Sequence, residues 1–180
     1  FVVLRGILNS ESLGDAIGAV MRARTAVSGN CLIAHTDGEA IDLELSPLDV
    51  GFMYPERGVL AHANNFVELR HRLIDKFKAV APDTLIRTAR AQRLLEQKVG
   101  SIDLENLKDI LRDHFNYPNS ICRHPDTRVG GNFQVESLTS MIMDLNERTI
   151  HISDGPPCEN AYRKLSFESL QNKAHSGVSV

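Results

Sequence analysis

The chain has 180 residues, 42 % apolar and 24 % charged, with a formal net charge of −3. That is enough chain to bury a core, and the balance excludes a disordered segment. No apolar run reaches the ~18 residues of a membrane span, and the 20 Lys plus Arg are scattered rather than interleaved with aromatics, so neither a membrane nor a nucleic-acid partner is expected.

The densest basic cluster, Arg87, Arg90 and Arg93, reads as a solvated helix face. The opening residues FVVLRGIL carry one Arg and no small-residue cleavage site, which does not fit a signal peptide. Three cysteines, Cys31, Cys122 and Cys158, form an odd, widely spaced set. They make no disulfide framework and point to a reducing, cytoplasmic compartment. A zinc site needs ligands at close spacing, and only Cys122-x-His124 is close. With no second pair in the sequence, neither a metal nor any other cofactor is expected.

In chain order, apolar residues at 1, 4 and 8 predict a helix over 1–8. It starts without a cap, which suggests chain upstream of Phe1. Ser12 with Asp15 resembles a capping box, and Leu13, Ile17, Val20 and Met21 fall at helical spacing, predicting a helix over 12–27. The run 30–35 is apolar on both faces, a strand expected to be covered on both sides. Asp37-Gly38 marks a hairpin. Residues 39–45 then alternate, with Ile41, Leu43 and Leu45 on one face and Asp42 and Glu44 on a solvated other. Two more strands are predicted over 49–53 and 58–63, completing a four-stranded antiparallel meander.

Residues 64–83 admit a helix or a mixed loop, with a boundary at Ala81-Pro82-Asp83-Thr84. Helices are predicted from Leu85 to near Gly100 and from Ile102 to His114. A loop follows through Gly130-Gly131. The last hairpin pairs 137–145 with 148–152 and stops at Gly155-Pro156-Pro157. The tail from Ser169 is polar. The pattern is one α+β domain.

No phosphate loop, paired helical His or nucleophile elbow is present. Val59-Leu60-Ala61 leads into His62-Ala63-Asn64-Asn65. An Asn amide there is a neutral donor suited to a developing oxyanion, and the plainer reading has His62 and Asn64 capping the strand. The second polar segment runs from Asn116 to His124. A Cys122–His124 dyad is conceivable, but side chains two apart on an extended segment face opposite ways. Cys31 reads as core and Cys158 as structural. Asp42 and Glu44 share a face and could act as paired carboxylates, though a solvated face is the simpler account.

The ordered set Leu43-Glu44-Leu45-Ser46-Pro47, Gly58 to Phe66, Asn116 to Arg123, Leu138 to Asp144 and Gly155-Pro156-Pro157-Cys158-Glu159-Asn160 resembles the acyl-coenzyme A:isopenicillin N acyltransferase family of cysteine N-terminal-nucleophile enzymes. The similarity covers roughly residues 1–168 as the C-terminal portion of such a domain, leaving 169–180 as a tail. It implies a four-layer αββα sandwich of mostly antiparallel sheets, and a precursor that cleaves itself before a cysteine. That thiol attacks an acyl carbonyl, and its α-amine, with a pKa near ~8, serves as base. The family's nucleophile lies upstream of the segment matching Phe1. Asn64 matches the oxyanion-site Asn, while Ala63 and Asn65 replace the flanking Thr and His of the family motif. A substrate-binding Arg position falls near Gln134, with Arg128 the nearest upstream Arg, and differing loop lengths leave that role unassigned.

The resemblance thus implies an acyltransferase or amidohydrolase acting on an acyl-amide or acyl-thioester small molecule. The nucleophile would come from the missing N-terminal portion of the same precursor. The chain alone would be inactive, and its exposed sheet would favour that partner or a homo-oligomer. The alternative is a non-catalytic binding or structural domain that retains the fold.

Overall fold

The computed structural model describes residues 2–130, 134–166 and 168, and its chain divides into two compact units, 1–80 and 81–180. It is a mixed α+β fold with two antiparallel three-stranded sheets. No helix among the described residues is long and apolar enough to cross a membrane. The predicted polar tail and the Gly131 end of the Gly130-Gly131 loop lie outside the described residues.

The first unit opens with α1 (Val2–Leu8) and α2 (Leu13–Met21). Ser12 caps α2 by accepting a hydrogen bond from the Asp15 N–H at 3.1 Å, and its hydroxyl donates to the Asp15 carboxylate at 2.7 Å. The helix stops at Arg22 rather than continuing to 27. Beyond it, the Thr25 hydroxyl donates to the Ser46 carbonyl at 3.2 Å, so a tertiary contact replaces further helix.

Strands β1 (Gly29–Ala34), β2 (Ala40–Leu45) and β3 (Val50–Met53) follow, with β2 in the centre. The β1–β2 turn has Gly38 at φ +92°, a left-handed conformation that glycine adopts without strain. Ile33, Ile41, Leu43 and Leu45 form one core with Ala16 and Val20 of α2, flanked by Val3 and Ile7 of α1. Cys31 packs against this cluster from β1, partly buried. The expected cover on both faces of β1 is absent: β1 is an edge strand, and Leu32 on its other face is 57 % exposed.

The predicted fourth strand does not form. Between 58 and 63 there is only an isolated bridge, Glu56 to Val59, and the chain continues as an extended loop. Residues 64–83 resolve as the mixed alternative, with a 3-10 turn at Leu69–His71 and the short α3 (Phe77–Val80).

The second unit contains α4 (Asp83–Glu96) and α5 (Leu104–Leu111). Asp103 caps α5, accepting from the Asn106 N–H at 2.7 Å. Helix α4 ends four residues before Gly100, whose φ of +84° turns the chain toward that cap. The second sheet orders β4 (Thr139–Asp144), β5 (Thr149–Asp154) and β6 (Arg163–Ser166). Strand β6, which the sequence did not indicate, pairs Ile150 with Leu165. The basic cluster on α4 is less solvated than its spacing suggests. Arg87 pairs with Asp83 at 2.9 Å and Arg90 with Asp113 at 2.7 Å, both partly buried.

Gly51 of β3 lies opposite Glu44 in register, and a Cβ there would meet Leu69 Cγ at 2.8 Å and Glu68 Cβ at 3.2 Å. The missing side chain is what lets residues 68–69 close over the sheet. Gly51→Ala is therefore expected to destabilise the first unit by about 1–3 kcal/mol, read as a lower urea midpoint with an unchanged slope. An unchanged midpoint would show that this approach is not tight.

Candidate functional site

The alternation of β2 sends Asp42 and Glu44 to the face opposite the helices. Both are fully buried, contrary to the solvated face expected from their charge. Loop 59–69 covers them, and Glu44 is the reason it can. One oxygen, Oε1, accepts from His62 Nε2 at 2.7 Å and from the Val67 N–H. The other, Oε2, accepts from the N–H groups of Glu68 at 3.0 Å and Leu69 at 2.9 Å. The carboxylate thus satisfies backbone donors at the start of the 3-10 turn that have no other acceptor in it.

Burial alone would raise the Glu44 pKa, but the hydrogen bonds from His62, Leu69 and Val67 outweigh it and hold the group below its ordinary value. His62 is the mirror case. Burial would lower it, but the bond to Glu44 and the charges of Asp42 and Glu44 raise it. Asp42 is pushed up, chiefly by burial, and accepts from Asn30 Nδ2 at 2.7 Å. His62 Nδ1 and Asp42 Oδ2 are buried with no hydrogen-bond partner among the described residues.

Beside this network lies a cleft of about 470 Å³, lined by Asn30, Glu44, His62, Asn64, Asn65, Phe66 and the 74–77 segment. Asp75 frames its far wall, accepting from the N–H groups of Phe66 and Phe77, each at 3.0 Å. Asn64, the residue singled out as an oxyanion donor, is exposed on this cleft, and its neighbour Asn65 is 6 % exposed. Asn64 does not sit at the end of a strand. It sits in a loop that Glu44 and Asp75 staple on either side. His62 bonds to Glu44 at 2.7 Å, so it ties the loop to the sheet while also lining the cleft.

The second unit brings together residues that the sequence keeps apart. His114 follows α5, Cys122 and His124 sit in the loop beyond it, and Cys158 follows β5. Their ligating atoms all lie within 4.8 Å of one another. The second pair of close ligands, missing from the sequence, is supplied by the fold. Cys122 and His124 also reach each other, Sγ to Nε2 at 3.7 Å, despite the two-residue spacing. The segment is not extended: the Cys122 N–H donates to the Asp113 carbonyl at 3.1 Å and the His124 N–H to the Pro118 carbonyl at 3.0 Å. The Tyr117–Pro118 peptide bond is cis.

A nucleophilic dyad is not what these surroundings favour, because burial pushes the fully buried Cys122 thiol up to about 11. Both positions weighed for a substrate-binding Arg are exposed and make local contacts. Gln134 Nε2 donates to the Val129 carbonyl at 3.3 Å, and the exposed Arg128 pairs with Asp126 at 2.7 Å.

No family model matches the chain, and no curated protein matches it at a significant level.

The raised His62 pKa carries a stability signature. The contribution is fully present below the unfolded value of 6.5 and is lost as pH rises through the folded value. The lowered Glu44 pKa gives a contribution present above 4.5 and lost as pH falls through its folded value. Asp42 opposes Glu44 on the acid side, so the alkaline limb is the cleaner test. The stability gap between wild type and His62→Gln is expected to be largest below pH 6.5 and to shrink as pH rises above it. A gap independent of pH would show that folding does not raise the His62 pKa.

Proposed function

We propose that the chain is the later portion of a cysteine N-terminal-nucleophile acyltransferase or amidohydrolase, with Asn64 as an oxyanion-site donor. The observation that carries this reading is the place of Asn64, an exposed residue lining a cleft whose loop backbone is held by Glu44 and Asp75. Donors of this kind act only when held still before the charge develops. The cleft volume falls within the range of small-molecule sites, which suits an acyl-amide or acyl-thioester substrate.

In this reading the nucleophile belongs to the preceding part of the same precursor. Cys31 lies on the helix-facing side of β1, in register with Leu43 and away from Glu44, and Cys122 and Cys158 are gathered in the second unit. The thiol, deprotonated by its own α-amine, adds to the acyl carbonyl, and the oxyanion is held by the Asn64 N–H. Collapse to the thioester expels the amine, which takes its proton from the α-ammonium. Water or an acceptor amine then attacks the thioester and returns the thiol. A four-layer αββα sandwich is part of the same proposal. It is supported by the two antiparallel sheets and by the helix pair on one face of the first, which leaves the Asp42–Glu44 face to a cleft.

Asn64→Ala, placed in the protein produced from its whole gene, is expected to lower kcat on an acyl-amide substrate by roughly 10²–10³-fold with the fold intact. An unchanged kcat would remove Asn64 from the oxyanion site. A wild-type protein with no acyl-transfer or hydrolytic activity would favour a retained binding scaffold.

A further inference from the structure

We propose that His114, Cys122, His124 and Cys158 form a structural Zn²⁺ site. The proposal is independent of the acyl-transfer reading. Two thiolates and two imidazoles are a donor set that suits zinc, and four protein ligands close the tetrahedron, the mark of a structural rather than a catalytic centre.

The distances fit. Zn–S of about 2.3 Å and Zn–N of about 2.0–2.1 Å place tetrahedral neighbours at roughly 3.8 Å for S···S, 3.5 Å for S···N and 3.3 Å for N···N. The two sulfurs lie 3.5 Å apart. His124 Nε2 lies 3.7 Å from Cys122 Sγ and 3.3 Å from Cys158 Sγ. The Nε2 atoms of His114 and His124 are separated by 3.1 Å. A disulfide between the two sulfurs would need about 2.0 Å.

A second observation concerns orientation. His124 directs Nε2 into the cluster while its Nδ1 lies 3.5 Å from the Glu159 carboxylate. A carboxylate near the outer nitrogen is the usual surrounding of a metal-bound His, and it leaves Nε2 facing the other three ligands.

Contacts beyond the four ligands hold the frame. Arg90 grips Asp113, the residue before His114, and the Asp113 carbonyl takes the Cys122 N–H. Arg112 Nε donates to the Pro157 carbonyl at 3.0 Å, fixing the residue before Cys158 to the end of α5. The Glu159 N–H returns to the Pro156 carbonyl at 3.1 Å. Zinc would therefore staple the 114–124 loop to the end of the β5 strand, in a unit whose buried apolar core is small.

The test is metal analysis of the purified full chain after growth with added zinc, with cobalt substitution as a second readout. The expected result is one Zn²⁺ per chain, lost in Cys122→Ser and in Cys158→Ser but kept in Cys31→Ser. Cobalt in the wild-type protein is expected to show tetrahedral d–d bands with thiolate charge transfer, so a variant that fails to fold does not decide the matter. Wild-type protein free of metal and without those bands would overturn the site. So would metal retained by the Cys122→Ser/Cys158→Ser double variant, or an intact mass showing a Cys122–Cys158 disulfide in place of metal.

Discussion

Glu44 is a carboxylate at the centre of a sheet, fully buried, where an unpaired charge would cost several kcal/mol. It is tolerated because His62 and three consecutive backbone N–H groups converge on its two oxygens. The dependence is mutual. Loop 59–69 has no strand partner beyond one bridge, so its own donors need an acceptor from below. Gly51 supplies the room for that approach, and Asp75 ties the far end. Remove the carboxylate and the loop, the cleft wall and the placement of Asn64 lose their common anchor.

This arrangement separates two tasks that a polar cluster often combines. His62 and Glu44 pair inside the sheet at 2.7 Å, and the contact lowers the Glu44 pKa and raises that of His62. The amide of Asn64 is left at the cleft as a neutral group whose job, in the proposed enzyme, is donation without proton exchange. The second unit uses the same logic of charge holding irregular backbone. Asp83 receives Arg87 and Arg123, and Asp113 receives Arg90, so the loops bearing His114 and Cys122 are fixed by ion pairs anchored on α4.

What could be read from the sequence was what local rules control. Ser12 marked a helix start, and the Ile41, Leu43, Leu45 alternation marked the core face of β2. What could not be read depended on partners distant in the chain. Asp42 and Glu44 looked solvated because nothing near them in sequence supplies donors; the donors come from residues 62–69. Cys122-x-His124 looked solitary because its complement, His114 and Cys158, comes from the end of a helix and the end of a strand. Asn64 was singled out as following a strand, and the structure places it in a stapled loop because no fourth strand forms.

The central functional claim is that this cleft serves a cysteine freed at the head of a processed chain. N-terminal sequencing and intact mass of the protein expressed from its whole gene test it most directly. The account predicts two associated chains, the second beginning with Cys and carrying the Glu44–Asn64 segment. A single uncleaved chain with no cysteine upstream of the segment described would contradict it.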